Sequence, residues 1–149
     1  WTKIPEDSEV ESLYKKVCVT EEKSVESSSD WVEFGKSDSH ILYYNTVSIK
    51  HQTKDIVQGW GKIVYSDKGR EKEIQNRIKN GSSTEGYDKL SYIMSLFEID
   101  CKNGTHRLLY EIDYGKDNSV LEKEIFDNPK WKHIVPDSFM DSLRKKVCK

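Results

Sequence analysis

The first eighteen residues of the chain return at its far end. WTKIPEDSEVESLYKKVC (residues 1–18) and WKHIVPDSFMDSLRKKVC (131–148) align without a gap at a constant offset of 130, with ten identities in eighteen positions. A matching W-x-x-I ahead of each segment and a matching cysteine behind it are hard to obtain from chance likeness between two amphipathic helices. The period is too long for a solenoid, whose units run to about 20–50 residues, so it points to whole domains in tandem. Residues 1–18 then read as the closing helix of a preceding copy. The Ser/Glu-rich stretch VTEEKSVESSSD (19–30) reads as a linker, and 31–149 as one complete domain. The competing arrangement keeps both segments in one domain as a pseudo-symmetric pair of helices.

Composition narrows the class. The chain is 35% hydrophobic and 34% charged, a lean supply for a core, offset by four Trp, eight Tyr and four Phe. Aromatic side chains bury a large area each and suit a pleated sheet. Net charge is −2 with both signs interspersed, unlike the basic face that nucleic-acid binding needs. No apolar run reaches the roughly 18 residues of a membrane-spanning helix. The chain starts at Trp1 rather than Met, so the lack of a visible export signal carries no information. The three cysteines, Cys18, Cys101 and Cys148, form no C-x-x-C or Cys/His cluster of the zinc type. No phosphate-binding glycine loop is present. No metal and no cofactor are expected.

Local patterns predict an α+β domain of about six antiparallel strands and a C-terminal helix. WVEFGKS (31–37) and HILYYN (40–45) flank a Ser-Asp-Ser turn as a hairpin. DIVQGWGKIVYS (55–66) is a longer strand in which Gly59 and Gly61 suggest a bulge or a close backbone approach. YDKLSYIMSLFEIDC (87–101) becomes apolar on both faces in its middle, as a covered central strand does. Asn103-Gly104 turns the chain into HRLLYEIDYG (106–115), which puts Leu108, Tyr110, Ile112 and Tyr114 on one face. NSVLEKEIFD (118–127) is the last strand. Residues 68–85 are polar and read equally as a short helix or a loop. After Pro136, Asp137 or Ser138 supplies an N-cap, and Phe139, Met140, Leu143 and Val147 form the apolar stripe of a helix. Arg144, Lys145 and Lys146 favour its C-terminal dipole.

These landmarks, taken in order, resemble the surface-adhesin protein E family of Gram-negative bacteria. The matching points are Trp31-Val32-Glu33, Tyr43-Tyr44-Asn45 with Ser48-Ile49, Glu98-Ile99-Asp100-Cys101 with Arg107-Leu108-Leu109, and Trp131-x-x-Ile134-x-Pro136-x-Ser138 with Leu143 and Val147-Cys148. Asn45 stands where the pattern usually has Asp, and the N-terminal segment has Glu6 in place of Pro136. The resemblance implies a curved antiparallel sheet carrying the helix on its concave face, tied by a disulfide. It also implies export to the periplasm or the outer-membrane surface, with a lipid anchor outside this stretch. Strand parity puts Cys101 beside Ile93, Phe97 and Ile99, on the face the helix needs. A Cys101–Cys148 bond then staples helix to sheet and calls for an oxidising compartment. Cys18 is left as a free thiol or an intermolecular bond.

Function is less constrained. The best-known members of the family resembled here bind host matrix proteins, so the expected role is a non-catalytic extracytoplasmic binding module. Its partner is another protein of the host or envelope, with a second copy of the chain as a further partner class. Tyr43, Tyr44, Trp60, Tyr65, Tyr110 and Tyr114 are either sheet core or a recognition surface, where Tyr and Trp are enriched. The alternative function is a carrier holding a small apolar ligand between sheet and helix. His40, His51, His106 and His133 are scattered singly. Asp100 and Asp113 are the one acid pair that a hairpin brings to mind.

Overall fold

The computed structural model of the chain describes residues 30–149. The helix expected at 1–18 and all but the last residue of the linker expected at 19–30 lie outside the described residues, as does Cys18. Six strands, β1 (Trp31–Lys36), β2 (His40–Asn45), β4 (Ile56–Tyr65), β5 (Leu90–Asp100), β6 (Thr105–Gly115) and β7 (Val120–Ile125), lie side by side in the order β1-β2-β4-β5-β6-β7. Two-residue strands, β3 (Lys50–His51) and β8 (Lys132–His133), attach to β4 and β6 and complete an eight-stranded antiparallel sheet. Alternation in the sequence marks the six long strands; strands of two residues are too short to leave a period. Helix α1 (Asp67–Lys79) joins β4 to β5, and helix α2 (Phe139–Val147) closes the domain.

Period-two alternation sorts the strand residues onto two faces. On one, Val57, Phe97 and Ile99 pack against Ile134 and against Leu143 and Val147 of α2. Further along the same face, Leu90 and Ile93 pack with Tyr87, Ile63 and Ile74 of α1. On the opposite face Trp60, Met94, Leu96, Tyr110, Ile112 and Tyr114 form a third buried cluster. Both helices therefore sit on one side. Register shifts at Glu33/Gly35, Leu90/Tyr92, Leu96/Phe97 and Asp113/Tyr114 mark bulges, which bend strands and increase their twist.

The helix stretch at 67–79, left open by its sequence, has a physical explanation. Ser66 Oγ accepts the Gly69 amide at 3.1 Å as the N-cap, and Gly81, at φ +71°, follows the C-terminus. Only Ile74 of its apolar residues reaches the core, while Ile78 is 59% exposed. Polar contacts hold α1 down instead. Arg70 Nε donates to the Leu90 carbonyl at 2.6 Å, and Lys72 Nζ donates to Ser39 Oγ at 3.0 Å.

No bulge occurs at Gly59 or Gly61, because β4 and β5 pair without a shift from Ile56↔Asp100 to Val64↔Tyr92. The close approach is to side chains: a methyl group on Gly59 would stand 2.5 Å from Ile49 Cδ1 and 3.0 Å from Phe97 Cζ. Gly35 plays the same part for α2, since a methyl there would come within 2.6 Å of the Phe139 ring. Asn45 serves as an acceptor, as the Asp usual at its position would. Its Oδ1 takes the Ser48 amide at 3.0 Å, while Ser48 Oγ accepts the Trp60 amide at 3.0 Å and fixes the 3-10 turn Thr46–Ser48 to β4.

The closing W-x-x-I motif is explained as well. The Arg107 guanidinium lies 4.3 Å over the Trp131 ring and pairs with the buried Glu98 at 2.8 Å, and Ile134 enters the core under α2. Ser138, rather than Asp137, caps α2 through the Asp141 amide at 3.2 Å. Asp141 accepts the Asp137 amide and pairs with Arg144, which together hold its carboxyl down at about 2.

Cys101 and Cys148 are joined, with Cα atoms 5.7 Å apart and a sequence separation of 47. The bond ties the end of β5 to the end of α2. Closing such a loop is worth roughly 4 kcal/mol in the chain-entropy model, a large share of the stability of a domain this size. The C101A/C148A variant is expected to lose about 2–4 kcal/mol of unfolding free energy, measured by urea denaturation under non-reducing conditions. An unchanged midpoint would contradict the stapling role.

Candidate functional site

The predicted aromatic group divides between the two faces and forms no single patch. Trp60, Tyr110 and Tyr114 are buried, with Trp60 and Tyr110 edge-to-face at 5.8 Å. Tyr43 is half-buried on that face, beside Lys62 in the register. Tyr44 and Tyr65 are half-buried on the helix face, against Phe34 at 6.3 Å and His40 at 6.1 Å. Asp100 and Asp113 do not converge. Asp100 accepts the Lys102 and Asn103 amides in the β5–β6 turn, and Asp113 stands opposite Ile93 far along the hairpin.

Acidic groups do meet elsewhere. Glu111 and Asp113 alternate with Tyr110, Ile112 and Tyr114 along β6, so they point to the helix face. Glu122 and Glu124 stand opposite them on β7. Glu73 and Arg77, one turn apart on α1, close the space from above. The result is a polar cavity of about 230 Å³ lined by Glu73, Arg77, Ser82, Glu111, Asp113, Glu122 and Glu124. Arg77 bonds Glu122 at 2.8 Å and lies 3.9 Å over the Tyr87 ring. The Tyr87 hydroxyl sits between Asp113 and Glu122 and bonds both. Burial, reinforced by the neighbouring carboxylates, pushes Glu111 up to about 7 and Asp113 to about 6. Glu73 is raised for the same first reason. Among the described residues no His, Cys, Asp or Glu group has the geometry of a metal site.

Outside this cavity, and sharing Arg77 and Glu122 with it, runs an open groove of about 760 Å³. Arg77, Tyr87, Val120, Leu121, Glu122 and Lys123 are among its lining. Its wall is β7, the last strand in the order, so one long side of β7 has no strand beside it among the described residues. Val120 is 46% exposed there. Charges at Glu122, Lys123 and Glu124 keep the edge from indiscriminate pairing, while the groove leaves it approachable. Sequence reading missed this region. The i, i+2 acids on both strands and the i, i+4 pair Glu73/Arg77 were available signals, but only the α1 crossover brings them together.

The family model described as surface-adhesin protein E matches residues 31–149. Among solved structures, protein E from non-typeable Haemophilus influenzae is 11% identical, with 80% of this chain and 76% of that chain covered and a TM-score of 0.50. A second protein E structure from Haemophilus influenzae is 13% identical, covering 80% of this chain and 84% of that one at a TM-score of 0.49. At such identities the first likeness speaks for a shared fold alone. No curated protein matches the chain.

The raised carboxyls carry a pH consequence. Glu111 and Asp113 hold protons more tightly in the folded chain than in the unfolded one. The stability they contribute is complete below about pH 4 and is lost as pH rises through about 6 to 7. Asp141 acts in the opposite sense, its contribution being lost as pH falls from about 4 towards 2. Thermal melts should therefore show higher stability near pH 5 than near pH 7.5, and Glu111→Gln should flatten that difference. Equal slopes for the two proteins between pH 5 and 7.5 would contradict the assignment.

Proposed function

Because the chain belongs to the surface-adhesin protein E family, we propose that it is a non-catalytic binding module outside the cytoplasm of a bacterial envelope, capturing an extended segment of a protein partner along β7. The observation that carries this reading is the open edge of β7 with a groove beside it. Adding a strand satisfies edge amides and carbonyls, and adjoining pockets select alternate side chains. Val120 and the Tyr87 ring supply the apolar part of the groove; Arg77, Glu122 and Lys123 supply the polar part. The Cys101–Cys148 bond fits an oxidising compartment. A matrix protein of a host is the partner class that the family membership favours.

The alternative, a carrier of an apolar ligand between sheet and helix, has less support. Leu143 and Val147 pack directly on Phe97 and Ile99 in the place such a ligand would occupy.

Biolayer interferometry of the purified chain against soluble extracellular-matrix proteins tests the reading. At least one should bind, and Val120→Asp should weaken that binding at least tenfold without lowering the melting temperature. Val47→Asp, at a position 53% exposed on the 3-10 turn after β2, should leave it unchanged. Binding lost through Val47→Asp but kept by Val120→Asp would refute the β7 site. Absence of binding to every matrix protein would refute the partner class.

A further inference from the structure

Between α1 and the strands β6 and β7, the side chains require a proton beyond those that fully ionised acids would hold. The Tyr87 hydroxyl bonds Asp113 and Glu122 together. Burial, with Asp113 beside it, pushes the Tyr87 phenol up, so it stays neutral and has one proton to donate. Bonding two carboxyl groups at once then requires one of them to carry a proton and donate it back to the phenol oxygen. Hydrogen-bond counting alone demands that proton, and the burial that raises Asp113 and Glu111 agrees with it.

The groups facing the cavity come from every side. Glu73 and Arg77 belong to α1, Glu111 and Asp113 to β6, Glu122 and Glu124 to β7, and Tyr87 to the 3-10 turn before β5. Tyr65 of β4 feels the charges of Glu73, Glu111 and Asp113, and Ser95 of β5 offers Glu111 a hydroxyl at 3.5 Å. Glu85, Asp88 and Lys89, on the connection to β5, are exposed. Fully ionised, the five carboxylates would share about 230 Å³ with one guanidinium.

The two halves of α1 are held differently. In the first, Arg70 and Lys72 reach the Leu90 carbonyl and the Ser39 hydroxyl at 2.6 and 3.0 Å, and Ile74 enters the core. Ile78, the next apolar residue, is 59% exposed. The last turn is held through Arg77, which bonds Glu122 at 2.8 Å and the Ser83 carbonyl at 2.5 Å. Gly81 and Gly86, at φ +71° and +80°, bracket the connection that follows, in a conformation glycine takes at little cost.

We propose that this cluster is a proton-held latch. With its protons in place, the last turn of α1 and residues 80–86 lie closed over β6 and β7; when the protons leave for solvent, that turn swings off the strands about a hinge near Ile74. Like charges a few ångströms apart disfavour one another's ionised form, and opening admits water to all of them. The closed state binds the protons more tightly than the open one, so opening gains as pH rises through about 6 to 7. Opening also widens the groove beside β7, with which the cavity shares Arg77 and Glu122. The latch itself does not depend on β7 being the docking edge.

Hydrogen exchange of the intact chain, followed by nuclear magnetic resonance and corrected for the intrinsic rate, tests the latch. The amides of Ile78, Lys79, Asn80 and Ser82, in the last turn and just past it, should be less protected than those of Leu96 and Ile99 in β5. Their protection should fall at least tenfold between pH 5 and pH 7.5, since one proton released on opening is worth about tenfold per pH unit. In the E111Q/D113N variant, whose new side chains cannot ionise, the fall should shrink to under about threefold. Protection equal at the two pH values would overturn the latch, whatever the variant does. So would an equal fall in the variant, or last-turn amides exchanging as slowly as those of β5, which would leave global unfolding as the sole opening.

Discussion

The structure depends on a sheet whose central strands are apolar on both faces. Along β5, Met94 and Leu96 point one way and Ile93, Phe97 and Ile99 the other, all with little or no exposure. A single layer of this kind cannot stand in water. Removing each large side chain from solvent is worth on the order of 2 kcal/mol, and that gain exists only if something lies over each face. The helices, the disulfide and the placement of glycines all serve that need. Gly35 and Gly59 let Phe139, Ile49 and Phe97 close down on the backbone. The Cys101–Cys148 bond keeps a helix of nine residues on a face it is too short to hold by burial alone.

Parts of this were legible in the sequence because they are periodic and locally punctuated. Helix α2 has a cap, a stripe and basic residues in its last turn. The β5–β6 hairpin has Asn103-Gly104 between two alternating runs. Cys101 could be placed beside Phe97 and Ile99 by parity, and the structure joins it to Cys148. Helix α1 was not legible, because its attachment runs through Arg70, Lys72 and Arg77 rather than through an apolar stripe. The acidic cavity was hidden for a related reason. Glu111, Asp113, Glu122 and Glu124 look like solvated strand faces until α1 is known to cross over them.

The aromatic residues show where pattern and burial part. Parity along β6 groups Tyr110, Ile112 and Tyr114 correctly, yet it does not say whether their face meets water or protein. In the structure Trp60 and Tyr110 are 0% exposed.

The most direct measurement of burial on both faces of the sheet uses the two methionines, Met94 and Met140. Met94 is fully buried on the face away from the helices, and Met140 is partly exposed on α2. Peroxide oxidation of the native, intact chain, followed by peptide mass spectrometry, should modify Met140 readily and leave Met94 unreacted until the protein unfolds. Oxidation of Met94 in the folded chain at the rate of Met140 would show that face to be open and would contradict the account.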